Sequence, residues 1–589
     1  MTPTASGPTP SANRRSGIAR SVLRGAGVIL VVTVFARIAG FVRYLVFGAS
    51  VGAGDVGTAY TTANMLPNVL FEVAAGGVLA AVVVPLIAGL VPEGDPTDHV
   101  AAEEAGAPRT VQRLHDQEPA RPAHDGSALA DRIISTLLTW TLLGTGVLTL
   151  AVMLLAAPLA QLLLSAGSPG ASGVPLGTTL LRIFALQLPL YGISVVLAAY
   201  LQARKRFLWP AMMPLLSSVA VMISYRVYAQ LVPPVATAAT IDESAVRWLG
   251  WGTTAGVAVM ALPVVIVALR AGLRLRPSLR MPEGYGRRAL ALGGAGLGAV
   301  GAQQLVLALV LLLAMRAGGV GTLPVFQYAQ ALYLLPYAVL VVPLVTSVFP
   351  HLSELRLVGD RAGFAKISAA SVRMVMVVAV LGASMLLAAG PALEQFFRLI
   401  DRAGANGVGS TTAALSLGLV GFAVATQCTR ILSAALRARD ALLVGSVGWL
   451  IAAVVLLILV LPSPERSAAE AATVFGLATA IGMAVSGLVG LARISDILEH
   501  GGHLLQVRRT AIAVPMALLG GGIPGLLLGR QLVTADAGEV QTVLIGILCG
   551  LVAVVLSTAL MAVADREIAR RILQHLRAGR RSAAAEPAP

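Results

Sequence analysis

Runs of about eighteen or more apolar residues recur along the chain, separated by short polar stretches, and each is long enough to cross a bilayer as an α-helix. The candidate spans are 22–47, 57–91, 132–157, 176–201, 207–232, 247–269, 288–315, 323–350, 369–391, 410–434, 441–461, 470–492, 510–529 and 540–563. The pattern predicts an all-α polytopic membrane protein of about fourteen transmembrane helices, an even number that puts both termini on one side. Arginine and lysine choose the side. They gather in the N-terminal tail, in Arg204-Lys205-Arg206, between Arg270 and Arg288, around Arg356, Arg361 and Lys366, at Arg437 and Arg439, at Arg493, Arg508 and Arg509, and in the C-terminal tail. These are alternate loops, and those between them are short and nearly neutral. The positive-inside rule therefore predicts cytoplasmic N and C termini in a plasma membrane.

Three segments lie outside the membrane pattern. Residues 1–21, with Arg14, Arg15 and Arg20 among Ser, Pro and Thr, read as a disordered cytoplasmic tail. Residues 92–131 mix Glu103, Glu104, Asp116 and Glu118 with Arg109, Arg113 and Arg121 and show no apolar period, so a disordered cytoplasmic insertion is predicted there. In 564–589, Ile568, Ile572, Leu573 and Leu576 share one helical face while Arg566, Arg570, Arg571 and Arg577 take the rest. That is a basic amphipathic helix suited to anionic membrane lipids.

An internal repeat divides the membrane body. Leu154-Leu155-Ala156-Ala157-Pro158 with Gln161 recurs as Leu386-Leu387-Ala388-Ala389-Gly390-Pro391 with Gln395, and Ala198 to Arg204 recurs as Ser433 to Arg439. The offsets, about 232–235 residues, correspond to six spans, so the halves insert in the same orientation. The expected body is an N-lobe at 22–270 (spans 1–6), a C-lobe at 287–493 (spans 7–12) and two extra C-terminal helices at 510–563. A substrate would sit between the lobes near the midplane.

Composition narrows the function. With 57% hydrophobic and 12% charged residues and a mean hydropathy of +0.83, the chain is too apolar for a soluble globule. The net charge of +15 is almost entirely arginine and fits cytoplasmic anchoring, with no nucleic-acid partner expected. Cys428 and Cys549 fall in apolar spans and read as packing residues. Gly296 to Gly301 matches a dinucleotide fingerprint but lies inside an apolar helix, where close helix packing explains it, as it does Gly525 to Gly529. His500 and His503 after Glu499 belong to a glycine-containing loop rather than a metal site. No nucleophile elbow, phosphate-binding loop or carboxylate pair is found, so neither an enzyme nor a resident cofactor or metal is expected.

The candidate chemistry lies in the stretch from Thr33 to Gly77. Its first helix carries Arg37 and Arg43, its second Glu72, with a break expected at Leu66-Pro67-Asn68. A central arginine costs roughly 2.5–3.5 kcal/mol, so both facing lipid would cost about 5–7 kcal/mol; a polar cavity or an interface is the expected setting. The two are about 9 Å apart along the helix axis and about 120° around it, able to flank one cavity. Glu72 is expected to pair with an arginine or to titrate as a coupling acid. Asn68 beside it and Gln303 and Gln304 in span 7 complete the candidate substrate-binding set. Arg182, Arg226 and Arg430 add cations toward helix ends. The balance is basic, which favours an anionic substrate.

The sequence resembles the MurJ/MviN family of lipid II flippases, within the superfamily that also holds drug/cation antiporters and polysaccharide exporters. The resemblance rests on Arg37-Ile38-Ala39-Gly40-Phe41-Val42-Arg43, on Phe47-Gly48-Ala49 with Gly52-Ala53-Gly54, on Ala63-Asn64-Met65-Leu66-Pro67-Asn68, and on Gly76-Gly77 with Val84-Pro85. Arg206-Phe207 with Pro210, Leu249-Gly250-Trp251-Gly252 and Arg439-Asp440 fit too, and Leu335-Pro336-Tyr337 is similar to the actinobacterial branch. It implies two six-helix lobes around a central cavity and a lipid-tail groove on spans 13 and 14. The implied activity moves the undecaprenyl-pyrophosphate-linked precursor lipid II to the outer leaflet for peptidoglycan synthesis, by alternating access. Two family arginines carry over to Arg37 and Arg43 as pyrophosphate contacts. Thr58, Phe71 with Glu72, and Ala331 stand where the family pattern has an aspartate, an arginine pair and an arginine, so a less basic cavity is implied. Coupling to membrane potential or to a monovalent cation stays open, as do partners among cell-wall synthesis proteins. Alternative readings are export of another polyprenyl-linked glycan, drug/cation antiport, or a transport-inactive scaffold acting through 92–131 and the basic tail.

Overall fold

A computed structural model describes residues 31–73, 77–87, 90, 123–165, 173–233, 236–462 and 466–564. Among these every regular element is helical: α1 (Val31–Ser50), α2 (Asp55–Phe71), α3 (Gly77–Ile87), α4 (Ala123–Leu154), α5 (Ala156–Leu164), α6 (Gly173–Ala185), α7 (Gln187–Ala203), α8 (Leu208–Leu231), α9 (Glu243–Arg270), α10 (Tyr285–Gly318), α11 (Thr322–Pro336), α12 (Val342–Leu357), α13 (Arg361–Ala388), α14 (Gly390–Ile400), α15 (Val408–Ala434), α16 (Ala438–Val460), α17 (Ala468–His500), α18 (Leu504–Leu532) and α19 (Glu539–Ala564). Thirteen helical stretches among the described residues are long and apolar enough to cross a membrane. The predicted second span is the remaining one, built from α2 and α3. The tails at 1–21 and 565–589, and most of the predicted insertion, lie outside the described residues.

Local chemistry sets the helix starts. Asp242 accepts from the Ser244 backbone N–H (3.0 Å) and Asp360 from that of Gly363 (2.8 Å), each satisfying a donor that the helix cannot. Ser467 and Glu470 form a reciprocal capping box at α17.

Two expectations are revised. Pro67 does not break the second span: it sits inside α2, and the interruption comes after Phe71, where Glu72 and Val73 turn as a π-helix. The predicted insertion ends earlier than Asp131, because α4 already begins at Ala123. A polar stripe runs along α4. Asp131 and Ser135 accept the backbone N–H groups of Arg274 (3.3 Å) and Arg276 (3.1 Å), Thr139 that of Ser278 (3.3 Å), and the Trp140 indole donates to the Leu279 carbonyl (3.1 Å). The interlobe connection therefore lies along a helix face that hydropathy does not register.

The two lobes repeat the same architecture. Each has a short helix after its third span, α5 and α14, and each fourth span ends in a residue with left-handed backbone, Lys205 (φ 59°) and Leu436 (φ 62°). The hydrogen bonds match there: Arg206 N–H to Leu201 O and Arg437 N–H to Leu432 O. Leu201 therefore pairs with Leu432, an offset of 231 (432 minus 201), and the sequence register at Ala198 to Arg204 was slipped by four residues. A four-residue slip is about one helical turn and leaves the apolar face unchanged.

The cores show how the lobes meet. One cluster takes residues from both: Phe47, Tyr60, Phe184 and Tyr225 with Phe326, Tyr328, Phe397 and Phe475. Toward the other end the core divides. Ile133, Leu197 and Tyr200 belong to an N-lobe cluster, joined by Ala289 from the start of α10, while Val372, Leu419, Cys428 and Ile494 belong to a separate C-lobe cluster. The body is a wedge, closed where 48–58 meets 321–328 and 401–403.

Candidate functional site

Helix α1 runs along the wedge and changes character on the way. Phe47, Gly48 and Ser50 at its C-terminal end are buried, whereas Phe35, Arg37 and Ile38 are exposed, and a Cβ added to Gly40 would meet nothing within 4 Å. Arg37 and Arg43 lie on the open part. Arg43 is half-buried, its guanidinium 5.5 Å from the Tyr44 ring centroid and within electrostatic range of the Tyr60, Tyr191 and Tyr225 hydroxyls. Tyr60 shares hydrogen bonds with Tyr225 (2.9 Å) and Thr253 (3.0 Å), so these phenols form a fixed polar patch in the N-lobe. Arg37 turns toward the other lobe, within electrostatic range of Tyr337, which Arg430 also approaches. Tyr337 opens the π-helical turn Tyr337–Val341 between α11 and α12 and donates to Thr426 (3.1 Å); Arg430 stacks over Phe349 at 5.7 Å. Neither Arg37 nor Arg43 donates a hydrogen bond to a described residue. Arg37 and Arg43, neither with a described hydrogen-bond acceptor, therefore mark the open half of α1 as the candidate site.

The other sequence candidates are placed less centrally. Glu72 is exposed and makes no ion pair with Arg37, Arg43 or any other described residue, so the expected pairing is not formed. Asn68 is half-buried, donates to the Asn64 carbonyl (2.8 Å) and reaches the Tyr191 hydroxyl, which ties it to the Arg43 patch. Gln304 is buried and Gln303 half-buried in α10, and neither hydrogen-bonds to a described side chain. Phe71 packs in the N-lobe core with its ring 5.5 Å from Tyr191, and Ala331 is half-buried in α11. Thr58 has a defined role: its hydroxyl accepts from the Gly321 N–H at the start of α11 (2.8 Å), joining the lobes. The tyrosines, Thr253, Thr426 and the position of Arg430 were missed in the sequence. A tyrosine in an apolar run reads as core, and only its partners reveal a polar patch.

The closed end is polar as well. Asp401, between α14 and α15 and 4% exposed, accepts from the Ala53 N–H at 3.0 Å to both carboxylate oxygens, from the Tyr328 hydroxyl (2.8 Å) and from the Ala403 N–H (2.9 Å). Burial lifts its carboxyl above the ordinary carboxylate range, while these donors act to lower it.

Two lobes of six spans, two further helices and a cation-lined wedge between the lobes define the class: a polytopic transporter of the multidrug/oligosaccharidyl-lipid/polysaccharide exporter type. The model of the lipid II flippase MurJ family matches residues 47–529, most of the chain, and the protein belongs to that family. Among solved structures it is similar to a lipid II flippase MurJ in an inward closed conformation, at 16% identity and a TM-score of 0.63, covering 91% of this chain and 98% of that one. It also resembles an inward-facing multidrug resistance MATE family transporter (12% identity, TM-score 0.57, 79% of this chain and 96% of the other). A MATE transporter of Vibrio cholerae matches at 12% identity and a TM-score of 0.52, over 83% and 99% of the two chains. At such identities these likenesses concern the fold; the family match establishes lipid II translocation as the activity.

Proposed function

We propose that the wedge holds the pyrophosphate of lipid II between Arg37 and Arg43 and delivers it from the cytoplasmic to the outer leaflet of the plasma membrane by rocking of the two lobes. Cytoplasmic termini, as the charge pattern predicts, make the open end the cytoplasmic one. The observation that carries the reading is the unsatisfied pair of guanidiniums on the open half of α1. Charge-assisted hydrogen bonds from a planar guanidinium suit phosphate oxygens, and a low-dielectric wedge strengthens them. Tyr337 and Arg430 give the C-lobe its own polar group opposite Arg37, and the Tyr60–Tyr225 patch backs Arg43. Glu72, exposed near the mouth, is free to meet the incoming headgroup's polar groups, and the lipid tail stays in the bilayer along α18 and α19.

The test is depletion of the native protein with rescue by variants, scored by growth and by leaflet-resolved measurement of lipid II. Arg37→Ala and Arg43→Ala are each expected to lose translocation at normal membrane abundance. Full rescue by both would remove the arginines from the substrate site.

A further inference from the structure

Hydrogen bonds between the lobes gather on two consecutive residues that transport of the headgroup does not use. Asp401 and Arg402 leave the C-lobe between α14 and α15 and enter the N-lobe at the α1–α2 turn. The Arg402 N–H donates to Gly48 O (2.9 Å), and its guanidinium donates to Ser50 O (2.8 Å), Val232 O (2.9 Å) and Ala229 O (3.5 Å). The Asp401 carboxylate takes the Ala53 N–H from the same turn and is held on its own lobe by Tyr328. One residue supplies the acceptor and the next the donors, so the C-lobe loop satisfies the N-lobe backbone directly.

The N-lobe is shaped for this contact. A Cβ on Gly48 would lie 3.3 Å from the Asp401 carboxylate and the Tyr328 hydroxyl, and one on Gly54 would lie 3.1 Å from Ala403 Cβ. At Gly52, which also has φ +79°, it would lie 2.9 Å from Ala403 N. Of the three glycines in the Phe47-Gly48-Ala49 and Gly52-Ala53-Gly54 pattern, Gly52 excludes a side chain by both contact and positive φ, while Gly48 and Gly54 leave tight contacts that a small shift accommodates.

We propose that Asp401 and Arg402 are the latch of the outer gate: they hold the far end of the wedge shut, and their release from the 48–54 turn opens the site to the outside. The latch rests on the reading of the wedge as an alternating-access site, but its state can be measured without substrate. Breaking it exposes the Arg402 guanidinium and the Asp401 carboxylate to water, which repays part of the lost bonding. That makes the gate reversible rather than permanent.

The experiment uses the full chain in right-side-out membrane vesicles, with Cys428 and Cys549 replaced by Ala and a reporter at Met65→Cys, a half-buried α2 position whose sulfur lies 3.7 Å from Gln327 of the other lobe. A membrane-impermeant maleimide reports access from outside. Asp401→Ala and Arg402→Ala are each expected to raise labelling about ten-fold, the change that loss of one net charge-assisted hydrogen bond produces, with Arg402→Lys intermediate. Arg37→Ala should leave labelling at the parent rate. A second pair, Gly54→Cys with Ala403→Cys, places its Cβ atoms within disulfide reach, so oxidation should abolish lipid II translocation and a reductant should restore it. Unchanged labelling in both latch variants, or full translocation by the oxidised pair, overturns the latch. Labelling that rises while Arg37→Ala and Arg43→Ala still translocate lipid II supports the latch and defeats the substrate assignment, so the two failures are distinguishable.

Discussion

Arg43 combines two properties: its guanidinium engages no described hydrogen-bond acceptor, and it lies 5.5 Å from the Tyr44 ring centroid. Its geometry as well as its charge should then matter. Arg43→Lys keeps the charge but loses the planar fork, so translocation is expected to fall about ten-fold, whereas Arg43→Ala falls further, by about 100-fold, at equal membrane abundance. Equal activity of the lysine and arginine forms would show that a point charge suffices. The sequence revealed these arginines because an uncompensated charge among apolar residues is conspicuous. It hid Asp401 and Arg402 for the opposite reason, since an acid and a base in a short loop look solvated until the facing turn is known. Glu72 was legible as a charge but not as an unpaired one, because pairing depends on which way the π turn after Phe71 points it.

At the scale of elements, Gly296 to Gly301 and Gly525 to Gly529 were read as packing positions; a Cβ on Gly525 would lie 2.5 Å from Ala388 Cβ and 3.0 Å from the Cys549 carbonyl, and closer backbone approaches occur elsewhere in the C-lobe. A Cβ on Gly482 of α17 would lie 2.2 Å from the Gly448 carbonyl of α16, and one on Gly421 of α15 would lie 2.3 Å from the Met483 carbonyl. Gly298, within the fingerprint-like run, meets only the Leu442 side chain of α16, and Gly301 has nothing within 4 Å. Two alanine substitutions should therefore differ in sign. Gly482→Ala forces α16 and α17 apart and is expected to cost about 1–3 kcal/mol, lowering the Tm of the purified protein in detergent. Gly301→Ala meets nothing and should be neutral or raise the Tm slightly, since alanine favours a helix by about 1 kcal/mol over glycine. The all-helical membrane-spanning class was legible because apolar length survives without contacts, whereas the short helices α5 and α14 were not predicted. Register and helix ends were not legible: one helical turn of slip preserves every apolar face, and the polar stripe of α4 at Asp131 and Ser135 pairs with backbone donors more than 130 residues away in sequence.

For the whole molecule, the divided core and the single latched end have a consequence for energetics. If the lobes rock as proposed, Arg37 and Arg43 stay on α1 and the charge that crosses the membrane is the substrate's. A negative-inside potential then favours outward transfer of the pyrophosphate by about 2.3 kcal/mol per charge per 100 mV, roughly a 50-fold change in the leaflet ratio for each charge moved. In proteoliposomes containing lipid II and the full chain, imposing about 100 mV negative inside with a potassium gradient and ionophore should shift lipid II toward the outer leaflet by about that factor. Collapsing the potential should return it. Arg43→Ala should slow the approach to the same final ratio, because it alters the barrier and not the charge transferred. A leaflet ratio indifferent to potential would mean that a compensating cation moves with the substrate, making the wedge a coupled carrier.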